Sequence, residues 1–196
     1  MIIRAATLAD LRELDSLRRA EQEAVGFIPL SRWEEQVNRS ARCLLGMWEN
    51  GECTAYLYWT PGLPVAAIQQ VVVRSDARRQ ERGEAIVRHA LNLMGQDTRR
   101  YGATCRCRVD LEATAFWESL GFEACRLENT TSRRGPAIRY FYSIRPALLD
   151  LGTYLPKRTQ TWGMRTGFRW AKRLNPKSGG RLLDGRTWDQ FPEAPA

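Results

Sequence analysis

Residues 71 to 87 read VVVRSDARRQERGEAIV, and they place several arginines between a β-branched run and a helical pattern. A strand that ends in a tight turn before a helix exposes unpaired backbone N–H groups at the positive end of the helix dipole, where anions bind. Arg78, Arg79 and Arg82 add side-chain charge beside that point. The stretch therefore predicts a phosphate-binding turn. The alternative, which charge alone favours, is a solvated surface turn.

The cysteines and the single histidine do not suit a metal site. There are five cysteines with no C-x-x-C pair, and His89, the one histidine, falls within a helical pattern, so no metal is expected. Cys105 and Cys107 alternate with polar residues. We expect them to share the buried face of a strand with Ala103 and Val109.

The helices and strands around the turn at residues 74–82, which we call the arginine turn, are predicted from capping and periodic patterns. Thr7-Leu-Ala-Asp10 and Ser31-Arg-Trp-Glu34 have the form of capping boxes and predict two opening helices. Asn50-Gly51 separates two strand-like runs and predicts a β-hairpin. Later patterns predict strands at 66–73, 103–109, 122–127 and 137–144, and helices at 83–99 and 111–119. The predicted order is ααβββαβαββ, an α+β protein.

These stretches together resemble one known family, the GNAT acyltransferases. The run VRSDARRQERGEAIV is similar to that family's strand valine followed by Arg-x-x-Gly-x-Gly, with Val73, Arg78 and Gly83 matching. The opening IRAATLADLREL, the Asn-Gly hairpin and the stretch DLEATAFWESLGF resemble three further segments of the family. The resemblance covers residues 2–144. It implies the GNAT acyl-CoA N-acyltransferase fold, a mixed central sheet flanked by helices.

The resemblance also implies a co-substrate and a reaction. GNAT enzymes bind acetyl-CoA by its pyrophosphate at this turn, and an amine, here expected to be a primary amine, attacks the thioester directly. The residues that the resemblance assigns to acetyl-CoA are Val71, Val72, Val73, Arg78, Arg79, Gln80, Arg82, Gly83, Glu84, Ala85, Asp110, Ala113, Phe116 and Trp117.

The catalytic groups are less clearly marked. The resemblance makes the backbone N–H groups of the strand 67–73 the expected donors to the thioester oxygen. That strand offers Gln69 and Gln70 but no carboxylate, which excludes a glutamate base on it. Candidate bases are Glu21, Glu23 and Glu35, and candidate acids are Tyr56, Tyr58, Tyr140 and Tyr142. The catalytic set that we predict is Glu21, Glu23, Gln69 and Tyr142. The alternative for each is structural, because helix-surface carboxylates are usually solvated and strand tyrosines usually pack.

Three positions depart from the family pattern. Glu81 stands at the first glycine of the motif, Asp110 at an asparagine that often touches the co-substrate, and Trp117 at a tyrosine that often protonates the leaving thiolate. Either the motif shifts its register towards Gln80 and Gly83, or the Glu81 side chain turns outward, or co-substrate binding is weakened.

The net charge of +8 is concentrated in the last quarter of the chain. We expect a GNAT-like domain at residues 1–150 and a basic, aromatic-rich extension at 151–196, whose six aromatic residues are interleaved with cations. Such a segment contacts nucleic acid, or it packs on the domain or on a second subunit of a homodimer.

The closing run GRLLDGRTWDQFP resembles the ends of phage-encoded proteins, and Mom-like phage proteins that modify DNA belong to the GNAT superfamily. The alternative function is therefore a nucleic-acid-binding GNAT-fold protein that modifies a DNA or RNA base, or only binds.

The sequence also bears on location. It holds no run of about 18 apolar residues, and its opening MIIRAATLADLREL lacks the apolar centre of a signal peptide. We expect a cytoplasmic protein with no membrane partner.

Overall fold

The computed structural model describes residues 1–39, 41–63, 65–100, 102–128 and 136–144. In chain order the elements are β1 (Ile2–Ala5), α1 (Leu11–Ala20), α2 (Gln22–Val25), α3 (Leu30–Arg39), β2 (Leu44–Glu49), β3 (Glu52–Thr60), β4 (Val65–Val73), α4 (Arg82–Gly95), β5 (Gly102–Arg108), α5 (Ala113–Ser119), β6 (Glu123–Glu128) and β7 (Ala137–Ser143). They belong to two compact units, residues 1–103 and 104–196. No helix in the described part of the chain is long and apolar enough to cross a membrane. The predicted extension at 151–196 lies outside the described residues, so that division stays a prediction.

The first unit is built on an antiparallel sheet with the strand order β1-β2-β3-β4. Asn50 and Gly51 both have positive φ, which confirms the predicted hairpin between β2 and β3. Helices α1 and α3 pack against this sheet through a core that includes Leu14, Trp33 and Tyr56. Helix α4 contacts β2, β3 and β4. The contacts between α4 and the sheet therefore hold the first turn of α4 close to the end of β4.

The opening segment confirms one capping box and corrects the other. The Thr7 backbone N–H and its hydroxyl each donate to Asp10 Oδ2 at 2.7 Å, as the sequence predicted. The second helix begins at Leu30, so Ser31 lies in its first turn and not ahead of it, and that predicted start is wrong. Strand β1 was not predicted, because four residues carry too little pattern.

The second unit contains a sheet with the strand order β5-β7-β6, in which β6 and β7 are antiparallel. Cys105 and Cys107 are buried in β5 with Ala103, as predicted, and Val109 is half-buried. Burial, together with the charge of Asp110, raises the pKa of Cys107 to about 11. In the first unit, burial and the charge of a nearby glutamate likewise raise the pKa of the Cys53 thiol to about 11.

A buried glycine in β2 offers a test of the packing of the first unit. A Cβ added at Gly46 would overlap the ring of Trp48, which lies under the guanidinium of Arg4 at 3.7 Å from the ring centroid. We expect Gly46→Ala to lower the free energy of unfolding by about 1–3 kcal/mol, because the ring must shift. Urea unfolding measures this, and in a Trp48→Leu background the same change should cost less. An equal cost in both backgrounds would contradict the contact.

Candidate functional site

Strand β4 carries a β-bulge at its centre. Tyr58 lies opposite Gln70, and Trp59 lies opposite Ile68, so the register leaves Gln69 as the extra residue. A bulge bends the strand and takes backbone polar groups out of the regular ladder, and bulges recur beside active sites. Gln69, predicted from the sequence as catalytic, therefore stands where the β4 backbone departs from regular pairing.

The next residue, Gln70, is buried and fully hydrogen-bonded. Its Nε2 donates to the carbonyl oxygens of Val25 at 3.2 Å and Gly26 at 3.0 Å, and its Oε1 accepts from the Tyr56 hydroxyl at 3.1 Å. The amide thus ties the centre of β4 to the end of α2 and to the residue that follows it. Sequence analysis did not assign this role to Gln70.

The turn between β4 and α4 contains two left-handed residues that are not glycine. After a short 3-10 turn at Ser75–Ala77, Arg79 has a φ of 59° and Glu81 a φ of 60°. Glu81 is the N-cap residue of α4, and its exposed side chain makes no capping hydrogen bond. Glu81 itself therefore adopts the left-handed conformation that glycine favours, which the sequence did not predict.

The three arginines that the sequence assigns to phosphate binding, Arg78, Arg79 and Arg82, have different surroundings. Arg82 is mostly buried: its Nε donates to Glu49 at 2.9 Å, and its Nη1 donates to the Ala77 carbonyl at 3.4 Å and to Gln80. These bonds fix the turn to the end of β2. The side chains of the other two arginines are exposed.

Arg78 is in contact with a predicted base. Its guanidinium forms an ion pair with Glu21, the residue between α1 and α2, and its Nε donates to the Val73 carbonyl at 3.2 Å. The exposed fractions of the two side chains are 50% for Arg78 and 20% for Glu21. The structure thus brings a predicted phosphate ligand and a predicted base together.

The other two candidate carboxylates lie on helix surfaces. Glu35 forms ion pairs along α3 with Arg32 at 3.6 Å and Arg39 at 3.1 Å. Glu23 is exposed on α2. Glu21, by contrast, contacts the arginine turn through Arg78.

Three of the four candidate tyrosines are buried. Tyr56 and Tyr58 lie in the core on β3, and burial is the main cause that raises the pKa of each phenol. Tyr140 is buried in the second unit with its hydroxyl 3.4 Å from Glu118, and burial again raises its pKa. Tyr142 is half-buried, so it is the candidate acid that reaches the surface.

Two of the positions that depart from the family pattern, Asp110 and Trp117, lie in the second unit, and they differ in exposure. Asp110 is exposed, and Arg108 Nε donates to it at 2.9 Å; these hydrogen bonds lower the pKa of the Asp110 carboxyl. Trp117 is buried between the rings of Phe116, at 5.3 Å between centroids, and Phe122, at 5.0 Å. The indole therefore packs within its own unit.

The remaining residues that the resemblance assigns to acetyl-CoA lie in the elements expected for them. Val71, Val72 and Val73 lie in β4, Gly83, Glu84 and Ala85 lie in the first turn of α4, and Ala113 begins α5. Across the described ranges, no group of three or more His, Cys, Asp and Glu side chains could hold a metal ion.

The chain is similar to known acetyltransferases in sequence and in fold. The profile of the "Acetyltransferase (GNAT) family" matches residues 8–122, which is more than half of the chain. No curated protein matched in a sequence comparison.

The ribosomal-protein-S18-alanine N-acetyltransferase from Escherichia coli has a TM-score of 0.62 and 23% identity, with 76% of this chain and 97% of that chain covered. For the ribosomal-protein-alanine N-acetyltransferase from Brucella melitensis the values are 0.61 and 20%, with 73% and 99% covered. An aminoglycoside 6'-N-acetyltransferase complexed with coenzyme A has a TM-score of 0.63 and 13% identity, with 76% and 100% covered. The fold is thus that of these proteins, a mixed sheet flanked by helices.

The left-handed backbone at Glu81 generates a stability prediction. A residue with a side chain is strained in this conformation, whereas glycine adopts it freely at some entropic cost. We expect Glu81→Gly to raise the free energy of unfolding by about 0.5–1 kcal/mol. The matched control is Glu84→Gly in the first turn of α4, which should lower it by about 1 kcal/mol. Denaturant titration compares the two, and equal losses would show that position 81 carries no strain.

Proposed function

Because the chain belongs to the GNAT family of acetyltransferases, we propose that it transfers the acetyl group of acetyl-CoA to a primary amine. The observation that carries the proposal is the turn between β4 and α4. It combines a helix start without a side-chain cap and two exposed arginines, Arg78 and Arg79. Phosphate groups bind such helix starts.

The phosphates of acetyl-CoA would be held by backbone and side chain together. The first intrahelical bond of α4 runs from the Ala85 N–H to the Glu81 carbonyl at 2.9 Å, so the N–H groups of the three residues between them precede that ladder. Gly83, one of these three, leaves room for a phosphate beside the backbone. Arg78 supplies a guanidinium at the edge of the turn, which suits an oxyanion.

Acetyl-CoA supplies the activated thioester, and the chain positions it. Backbone N–H groups around the bulge at Gln69 are the proposed donors to the thioester oxygen, since a bulge frees such groups from the ladder. The amine nitrogen forms a bond to the acetyl carbon as the carbon–sulfur bond breaks.

Two protons move in this reaction. We propose that Glu21 takes the proton of the attacking amine, directly or through water, with the exposed Glu23 as the second candidate. We propose Tyr142 as the group that returns a proton to the leaving sulfur, because it is the half-buried candidate tyrosine. The chemistry is general acid–base catalysis, with no covalent enzyme intermediate.

The nucleic-acid alternative rests on residues 151–196, which lie outside the described residues. The described ranges hold no observation that favours it, so base modification, the phage-like ending and the homodimer stay predictions. The cytoplasmic location also stays a prediction.

The phosphate site is tested at Gly83. Gly83→Asp should weaken acetyl-CoA binding at least tenfold more than Gly83→Asn, because only the carboxylate repels phosphate, at roughly 1.4 kcal/mol per tenfold change. An acidic residue in the first turn stabilises a helix, so the fold should not suffer. Isothermal titration calorimetry with acetyl-CoA measures both variants. Absence of wild-type binding at millimolar acetyl-CoA would refute the proposed function, and equal binding by both variants would place the phosphates elsewhere.

The ion pair between Glu21 and Arg78 gives a second, signed prediction. If Arg78 must leave Glu21 to reach a phosphate, then Glu21→Gln should tighten acetyl-CoA binding by up to about fivefold, the scale of an exposed ion pair, while turnover falls. Glu23→Gln is the matched control, because it removes the same charge two residues away. Tightening by both variants alike would mean that only the general charge matters, and weaker binding by Glu21→Gln would contradict the competition.

A further inference from the structure

The guanidinium of Arg18 is a buried charge that the proposed reaction does not use. Its side chain is 3% exposed on α1. Its Nε and Nη2 both donate to Asp15 Oδ1, at 2.9 and 2.6 Å. The Asp15 carboxylate therefore occupies the edge of the guanidinium formed by Nε and Nη2, and it makes no hydrogen bond to Nη1.

Nη1 of Arg18 is buried and has no hydrogen-bond acceptor among the described residues. A buried, charged donor without an acceptor is costly, so this nitrogen calls for an explanation. Asp15 is already engaged, because its Oδ2 accepts from Arg19 Nε at 2.8 Å. Burial alone would raise the pKa of Asp15, but the hydrogen bonds from Arg18 and Arg19 outweigh it and lower that pKa, so the carboxylate stays ionised and fully used.

The ring of Phe27 covers the guanidinium. The Arg18 Cζ atom lies 4.9 Å from the centroid of this ring, and Phe27 itself is 62% exposed. A large exposed apolar side chain over a buried cation is a cover that can rotate away without unpacking the core. Movement of this ring would open Arg18 to solvent on that face.

This cover adjoins the candidate site in the first unit. Phe27 follows Gly26, whose carbonyl accepts a hydrogen bond from Gln70 beside the bulge of β4. The charges of Arg18 and of the proposed base Glu21 both act on the buried Tyr56 phenol, which donates to the same Gln70. The unused nitrogen therefore lies in the neighbourhood of the groups that we propose for catalysis.

We propose that Nη1 of Arg18 binds an anionic group of the acceptor once the ring of Phe27 moves aside. This inference rests on the proposed acetyl transfer, and it names the acceptor class: an amine that also carries a carboxylate or a phosphate. A guanidinium matches both groups, because its N–H donors lie in a plane and keep their charge. A bound water at Nη1 is the competing explanation.

Direct binding tests the site without knowledge of the acceptor. Arginine side-chain ¹⁵N–¹H signals of the full chain are followed by NMR during titration with acetate, inorganic phosphate or neutral acetamide. The signals of Arg18 should shift saturably with at least one anion and not with acetamide, and the two anions distinguish carboxylate from phosphate recognition. Arg100, which is paired with Asp97 and lies over the ring of Trp59, is the internal control. Unmoved Arg18 signals, or equal shifts with acetamide, would leave a water at Nη1 and overturn the proposal.

Two variants sharpen the binding test. Phe27→Ala removes only an exposed ring, so it should strengthen anion binding severalfold by uncovering the guanidinium. Arg18→Gln removes the observed side chain, so its readout is the backbone ¹⁵N–¹H signals of Gly26 and Phe27, beside the guanidinium. The anion-dependent shifts that these signals show in the wild type should vanish in Arg18→Gln, and the double variant Asp15→Asn/Arg18→Gln provides the same test without a stranded carboxylate. An anion response that survives in both Arg18 variants would place the site elsewhere.

Acetyl transfer supplies a second measurement. β-Alanine is compared with β-alaninamide, and O-phosphoethanolamine with ethanolamine. The wild type should favour the anionic member of a pair, and Arg18→Gln should reduce that preference in kcat/KM at least about tenfold. Calorimetry should show unchanged acetyl-CoA binding by Arg18→Gln, so failure of this inference is distinct from failure of the proposed function, which wild-type calorimetry decides. If none of the four amines is acetylated, the NMR titration alone decides the proposal.

Discussion

The buried amide of Gln70 holds together the parts of the first unit on which the candidate site depends. It stands on β4 directly after the bulge and donates to the carbonyls of Val25, at the end of α2, and Gly26, which opens the segment between α2 and α3. A buried amide that lost these partners would cost about 1–3 kcal/mol for each unsatisfied group. The segment is therefore held against the bulged strand, and with it Phe27, which covers Arg18.

Two arginines after β4 have different roles, because Arg82 holds the turn in place and Arg78 faces solvent. Arg82 is bound to Glu49 at the end of β2, so it anchors the start of α4 to the sheet. Arg78 is half exposed and is held by a carboxylate that comes from between two helices. A turn of this kind can lose one ion pair to a ligand and keep its shape, because different residues perform the two tasks.

Helices and strands could be predicted from the sequence where turn residues, caps or periodic patterns were strong. Of the candidate site, the sequence predicted the turn between β4 and α4, because a stretch similar to the Arg-x-x-Gly-x-Gly motif marks it. Paired turn residues such as Asn50-Gly51, caps and long periodic runs determine elements locally, so the order from β2 onwards could be read from the sequence, whereas β1 and the four-residue α2 were missed. The contact between Glu21 and Arg78 joins distant parts of the chain, and no local pattern encodes it. Arg18 did leave a signal: it falls on the apolar stripe of α1 with Leu11 and Leu14, where a charge needs a reason.

The burial of the cysteines affects how readily they react with a thioester. Thioesters acylate thiolates without any enzyme, so the acetyl-CoA that we propose as donor would put the protein's own cysteines at risk. Only the thiolate form reacts, and a thiol whose pKa is about 11, as at Cys53 and Cys107, is ionised in roughly one molecule in ten thousand at pH 7. Both thiols also lie behind packed side chains. Burial thus lowers the reactivity of these two thiols towards acylation and towards oxidation.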